Sequence, residues 1–173
     1  MIKKKYLILI LFISSALINK IYTQNLDFGK LKFDGLNFFS SKNEIIDKLG
    51  EPIRIYKPDY DCGGLSSEWQ GVDFFTLDYG KIKFTGNDKD EYLIEEINFE
   101  KDHTIGLFYD GFNLNYATDL EKFVQIFGKE ILNNLRLNNT EQIIIIYSKG
   151  RDDGIKLVFK DNKLIKFYYF IPC

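Results

Sequence analysis

Phe33-Asp34-Gly35-Leu36-Asn37 recurs about 76 residues further on as Tyr109-Asp110-Gly111-Phe112-Asn113, and the residues after each copy recur with it. Both copies lead into a helix start. Ser41-Lys42-Asn43-Glu44 has the spacing of a capping box, and Thr118-Asp119-Leu120-Glu121 repeats it, with a hydroxyl and a carboxylate placed to satisfy the free N–H groups of a first turn. Ile45, Ile46 and Leu49 then give a buried stripe that Phe123, Val124 and Phe127 repeat. Gly50 and Gly128 close the two helices, each expected as a left-handed C-cap, and Pro52 forbids continuation in the first copy. Helices of about eight to eleven residues are too short to stand alone and must lean on a sheet.

Strand signals follow each helix. They cover Ile53 to Lys57, Val72 to Tyr79, Lys81 to Thr85 and Tyr92 to Glu100, and again Ile131 to Leu137, Gln142 to Ser148, Ile155 to Lys160 and Leu164 to Ile171. Gly86 to Glu91 reads as a long acidic loop, whereas Lys160-Asp161-Asn162-Lys163 reads as a tight hairpin, so successive strands should pair antiparallel. The expected fold class is α+β: two tandem repeats, each a short helix packed on an antiparallel sheet of about four strands. Unit 1 would span 25–102 and unit 2 would span 103–173, together one compact domain.

The helix Ser41 to Leu49 running into Leu49-Gly50-Glu51-Pro52, with a sheet after it, resembles the tandem module of the β-lactamase inhibitor protein family. Each unit is also similar to the small outer-membrane-assembly lipoproteins of the SmpA/OmlA type. The second copy departs from the pattern, since Phe127-Gly128-Lys129-Glu130 lacks the proline, and no lipid-attachment cysteine matches the lipoprotein branch. The resemblance implies a protein-binding role without naming a partner.

Residues 1–24 read as a signal peptide, with Lys3, Lys4 and Lys5 ahead of the apolar run Tyr6 to Ile18 and a polar stretch before cleavage near Thr23 or Gln24. A spanning helix needs roughly 20 apolar residues, so this shorter run favours cleavage over an uncleaved anchor. The expected location is therefore exported, periplasmic or extracellular. Cleavage removes four lysines and no acid, leaving 19 basic against 25 acidic residues, a net charge of −6. That balance speaks against nucleic acid and, after cleavage, against a membrane surface as partners. Export also places Cys62 and Cys173, the only two cysteines, where thiols pair. A Cys62–Cys173 disulfide and two unrelated thiols are both open readings.

Catalytic chemistry lacks its usual residues. His103, the only histidine, sits in the charged stretch Glu100-Lys101-Asp102-His103, a poor place for a general base. One histidine and two distant cysteines do not supply a zinc site, the acidic clusters lack a calcium loop, and no cofactor or metal is expected. What stands out is the aromatic content, 28 Phe, Tyr and Trp residues, including Phe74-Phe75 and Phe167-Tyr168-Tyr169-Phe170. Adjacent strand residues point to opposite faces, so such runs place aromatic area on a face that helices do not cover. Asp59 to Trp69 is the longest irregular stretch and has no counterpart in the second copy; Tyr60, Trp69 and Tyr79 are the candidate contact residues. These features lead to the expectation of a non-enzymatic protein-binding module of the inhibitor, immunity-factor or envelope-assembly kind. It would use an open aromatic sheet face and the 59–69 loop; a homodimer is an open possibility. The alternative is a small secreted hydrolase or carbohydrate-binding protein using Asp61, Glu68 and Asp88.

Overall fold

A computed structural model describes residues 26–172. The signal-peptide reading of residues 1–24 and the residue Cys173 lie outside the described residues. In chain order, a 3-10 turn (Phe28–Lys30) precedes β1 (Leu31–Phe33), β2 (Leu36–Asn37), β3 (Phe39–Ser40) and helix α1 (Lys42–Leu49). Then come β4 (Arg54–Tyr56), the short helix α2 (Ser67–Gln70), β5 (Phe75–Asp78), β6 (Ile82–Gly86) and β7 (Tyr92–Asn98). The rest is β8 (Leu107–Tyr109), β9 (Phe112–Leu114), α3 (Leu120–Phe127), a 3-10 segment (Lys129–Asn134), β10 (Leu135–Asn138), β11 (Glu141–Tyr147), β12 (Gly154–Lys160) and β13 (Lys163–Phe170).

Two separate helix-on-four-stranded-sheet repeats do not form. The chain builds one nine-stranded antiparallel sheet in the order β10-β11-β12-β13-β7-β6-β5-β4, with β3 alongside β7, and a second sheet of four strands in the order β2-β1-β8-β9. Helices are few and short beside this. Two physical causes account for the difference. First, the recurrent Asp-Gly pairs are hairpin turns: φ is positive at Asp34 and Gly35 (47° and 86°) and at Asp110 and Gly111 (49° and 87°), the paired left-handed geometry of a two-residue hairpin. Each signature therefore folds on itself, and β1 pairs β8 antiparallel to make the small sheet. Second, β7 and β13 join, with Phe167 opposite Ile97 and Tyr168 opposite Glu96. That junction removes two edges that separate sheets would leave unpaired.

Local chemistry follows the expected pattern at α1 and departs from it in three places. Ser41 and Glu44 form the capping box of α1. In α3 the N-cap is Asp119, which accepts from the Lys122 N–H at 2.8 Å, while Thr118 is fully buried and accepts from the Asn115 N–H. Gly50 and Gly128 have positive φ as expected, but ψ near ±165° carries the chain away extended instead of left-handed helical. The 3-10 segment replaces the start of the expected strand Ile131 to Leu137.

Pairing register sorts the large sheet into two faces, because directly opposed residues share a side. Ile82, Phe84, Leu77, Ile97, Phe167, Leu157, Ile155 and Ile144 lie on one face and are fully or almost fully buried. The small sheet and helices cover this face. Phe123 of α3 meets Phe159 at 5.4 Å, Tyr109 of β8 stacks on Phe127, and Phe38 reaches Phe167 and Tyr169. At the other end the Tyr79 hydroxyl donates to the Gly50 carbonyl, tying the β5 end to the α1 end.

Candidate functional site

The opposite face of the large sheet carries a different set of side chains. One row crosses seven strands at a single pleat: Arg54, Asp78, Lys83, Glu96, Tyr168, Lys156 and Ile145, each opposite the next. At a strand spacing of about 4.8 Å the row spans roughly 29 Å. Its left part alternates in sign, so neighbours compensate. Arg54 Nε donates to Asp78 Oδ2 at 2.8 Å, and the Lys83 ammonium pairs with Glu96. Lys156 Nζ lies 4.5 Å from the centre of the Tyr168 ring, a cation–π contact. Burial and the Glu96 charge raise the Tyr168 pKa, which keeps the phenol neutral.

A parallel row holds Arg136, Ile143, Val158, Lys166 and Asn98. On the other side Tyr147, Gly154 and Phe170 lie opposite one another. A Cβ on Gly154 would fall 2.1 Å from the Ile146 carbonyl oxygen, so only glycine fits between the two strands. The Tyr147 and Phe170 rings meet edge to face at 5.8 Å across it. Along β10 to β13, no described segment outside the sheet makes a hydrogen bond, ion pair or ring contact with these side chains.

Among the described residues, the segment between β4 and α2 engages this face over β7, β6 and β5. The Tyr60 hydroxyl donates to Glu95, which also accepts from Thr85 Oγ1, and Thr85 Oγ1 is 2.7 Å from Thr76 Oγ1. Thr76 and Thr85 are fully buried. Burial first, and the Glu95 carboxylate second, push the Tyr60 phenol far above its usual pKa, so it remains a donor. The three expected contact residues therefore do not converge. Tyr60 is tied down at Glu95, Trp69 is 64% exposed on α2 ahead of β5, and Tyr79 follows the end of β5. Tyr79 lines a separate cleft of about 600 Å³ with Phe33, Lys48, Leu49 and Phe108.

Of the aromatic runs, Phe167 and Tyr169 face the layered side, whereas Tyr168 and Phe170 face the open one. The contributions of Lys156, Lys166 and Arg136 were not singled out from the sequence. Period-two alternation within β13, two residues back from Tyr168, is the signal that could have found Lys166, and the others needed the register. Cys62 is disulfide-bonded, while its expected partner Cys173 lies outside the described residues. His103 stacks flat on Tyr116 at 3.7 Å. Asp88 accepts from Lys42 and Tyr92 beside a shallow depression that also holds Asp90 but neither Asp61 nor Glu68. Among the described residues no group of three or more His, Cys, Asp or Glu is placed to hold a metal, and no helix is long and apolar enough to cross a membrane.

Asp78 sets an acid limit on the row. Burial alone would raise its pKa, but the Gly80 N–H at 2.7 Å, the Arg54 guanidinium and the Lys83 charge outweigh that and hold it below the ordinary carboxylate value. A carboxylate depressed in the folded state adds stability that is complete above the unfolded pKa of about 4 and is lost as pH falls through the folded pKa. Asp78→Asn should therefore flatten the acid limb of the stability profile. Urea midpoints between about pH 5 and 2 that fall as steeply in the variant as in the parent would remove Asp78 from that role. The effect is modest, because the Arg54 partner is largely solvated.

No protein-family model, curated protein or solved structure matches the chain. The resemblance to the β-lactamase inhibitor protein family and the SmpA/OmlA type thus rests on the sequence features quoted above.

Proposed function

We propose that this chain is an exported, non-enzymatic protein-binding module that presents the open face of its large sheet, flanked by the 59–69 loop, to another protein. The supporting observation is the partly exposed surface along β10 to β13, where Tyr168, Phe170, Tyr147, Ile143, Lys156 and Lys166 surround the buried Ile145 and Val158, and where no described segment outside the sheet makes a hydrogen bond or ion pair with these side chains. Aromatic rings ringed by long polar side chains form the kind of surface that partner binding desolvates. An inhibitor, immunity or envelope-assembly role fits such a module, and Trp69 on α2 extends the same protein-binding reading to the loop.

Capture from the secreted or envelope fraction with purified protein tests this reading. A Tyr168→Ala, Lys156→Glu double variant should lose at least ten-fold in partner recovery, while Trp69→Ala reports the loop separately. Equal recovery by all three proteins would discard the surface.

A further inference from the structure

The edge of the sheet next to this face carries more specific information than the face itself. β10 is a terminal strand: β11 pairs it on one side, and no described strand pairs it on the other. Its outward N–H and C=O groups form a ready ladder for an added strand. Register places Arg136 on the open face, opposite Ile143, and Leu137 on the layered face, opposite Gln142. Leu137 is 75% exposed, and Arg136 makes no hydrogen bond or ion pair among the described residues.

Behind Arg136 the open face of β11 to β13 adds Lys156, Lys160, Lys163 and Lys166 against the single acid Glu141. A chain that is acidic overall thus concentrates uncompensated positive charge beside one unpaired edge. At the opposite edge β4 repeats the arrangement, Ile53-Arg54-Ile55 matching Leu135-Arg136-Leu137, but there Asp78 of the neighbouring strand already neutralises Arg54. A second copy adding β10 to β10 would continue the open face and set cations beside cations, which is unfavourable across a ladder. A strand alternating acidic and apolar residues would instead set carboxylates beside Arg136 and an aliphatic side chain beside Leu137.

We infer that β10 is a strand-addition site for an extended segment of a partner protein that alternates acidic and apolar residues. This rests on the protein-binding reading above and names the partner's chemistry and mode. The probe is a short peptide alternating Glu and Val, compared with the same peptide carrying Lys for Glu, by fluorescence anisotropy and backbone amide exchange. The Glu peptide should bind at least ten-fold tighter than the Lys peptide and slow exchange at the amides of residues 135–138. Arg136→Glu, a change on an exposed edge, should reverse that preference.

Several results would overturn the inference. They are protection away from β10, an unchanged preference in Arg136→Glu, binding of anionic vesicles in place of the peptide, or a dimer in sedimentation that the peptide does not displace. Failure here with the Tyr168→Ala, Lys156→Glu double variant still losing its partner rejects strand addition and keeps the open-face reading. Absence of both effects rejects both readings.

Discussion

Truncating Phe38 to alanine is expected to lower unfolding stability by about 3–5 kcal/mol, the range for removing a fully buried ring without refilling its space. Phe38 is 1% exposed and stacks on Phe28 at 4.5 Å, meets Phe39 edge to face at 4.9 Å, and reaches Tyr169 and Phe167 at 6.0 and 6.5 Å. Its carbonyl also accepts from the Ile94 N–H of β7. The ring therefore joins the turn before β1, the β2–β3 link and β13, segments far apart in sequence. A total stability of 5–15 kcal/mol leaves little margin for such a loss. Urea denaturation should show a lower midpoint with an unchanged slope. Leu137→Ala, at an exposed position, should stay within about 0.5 kcal/mol and serves as the control. A Phe38→Ala loss no larger than that of the control would mean that the aromatic cluster does not hold the two sheets together.

The second large effect concerns Cys62. Taken with Cys173 as its partner, the bond closes a loop of about 110 residues, and breaking it should lower stability by about 4–5 kcal/mol, less any strain it stores. The described end of the chain fits that partner. A Cβ on Gly63 would fall 3.3 Å from Ile171 Cγ2 and one on Gly64 2.7 Å from Ile171 Cδ1, so Ile171 lies directly on the turn after Cys62. The same bond would hold Tyr60 over Glu95 by shortening the free length of the segment between β4 and α2. Thiol titration in denaturant without reductant should find no free thiol, and reductant or Cys62→Ser should lower the unfolding midpoint. Two titratable thiols would exclude the pairing.

How much of this was legible without the tertiary structure differs from element to element. The capping box Ser41–Glu44, the turn at Asp161-Asn162 and most strand ranges were readable, because each depends on residues within one or two turns of chain. The Asp-Gly pairs were equally local hairpin signals, yet their position ahead of a helix cap made them read as lead-in segments. Positive φ at Asp34 and Gly35 is the property that settles them. Thr118 reads as a cap by spacing, but burial claims its hydroxyl for Asn115 and hands the role to Asp119. For the candidate site, alternation foretold that adjacent aromatics would split between faces, and Tyr168 beside Tyr169 does so. Which neighbours would join Tyr168 was not written in any local pattern.

By itself the sequence determined helices α1 and α3, the Ser41–Glu44 cap, most strands of the large sheet and the amphipathic alternation within them, since these follow from backbone geometry and side chains close along the chain. Only the tertiary structure decided that the strands merge through β7 and β13, that the two hairpins build a second sheet, and that Arg136, Lys156 and Tyr168 share an open face. Those outcomes depend on register between residues separated by tens of positions. A shift of one residue would turn every side chain to the other side, and it is the burial of one whole face that selects the register.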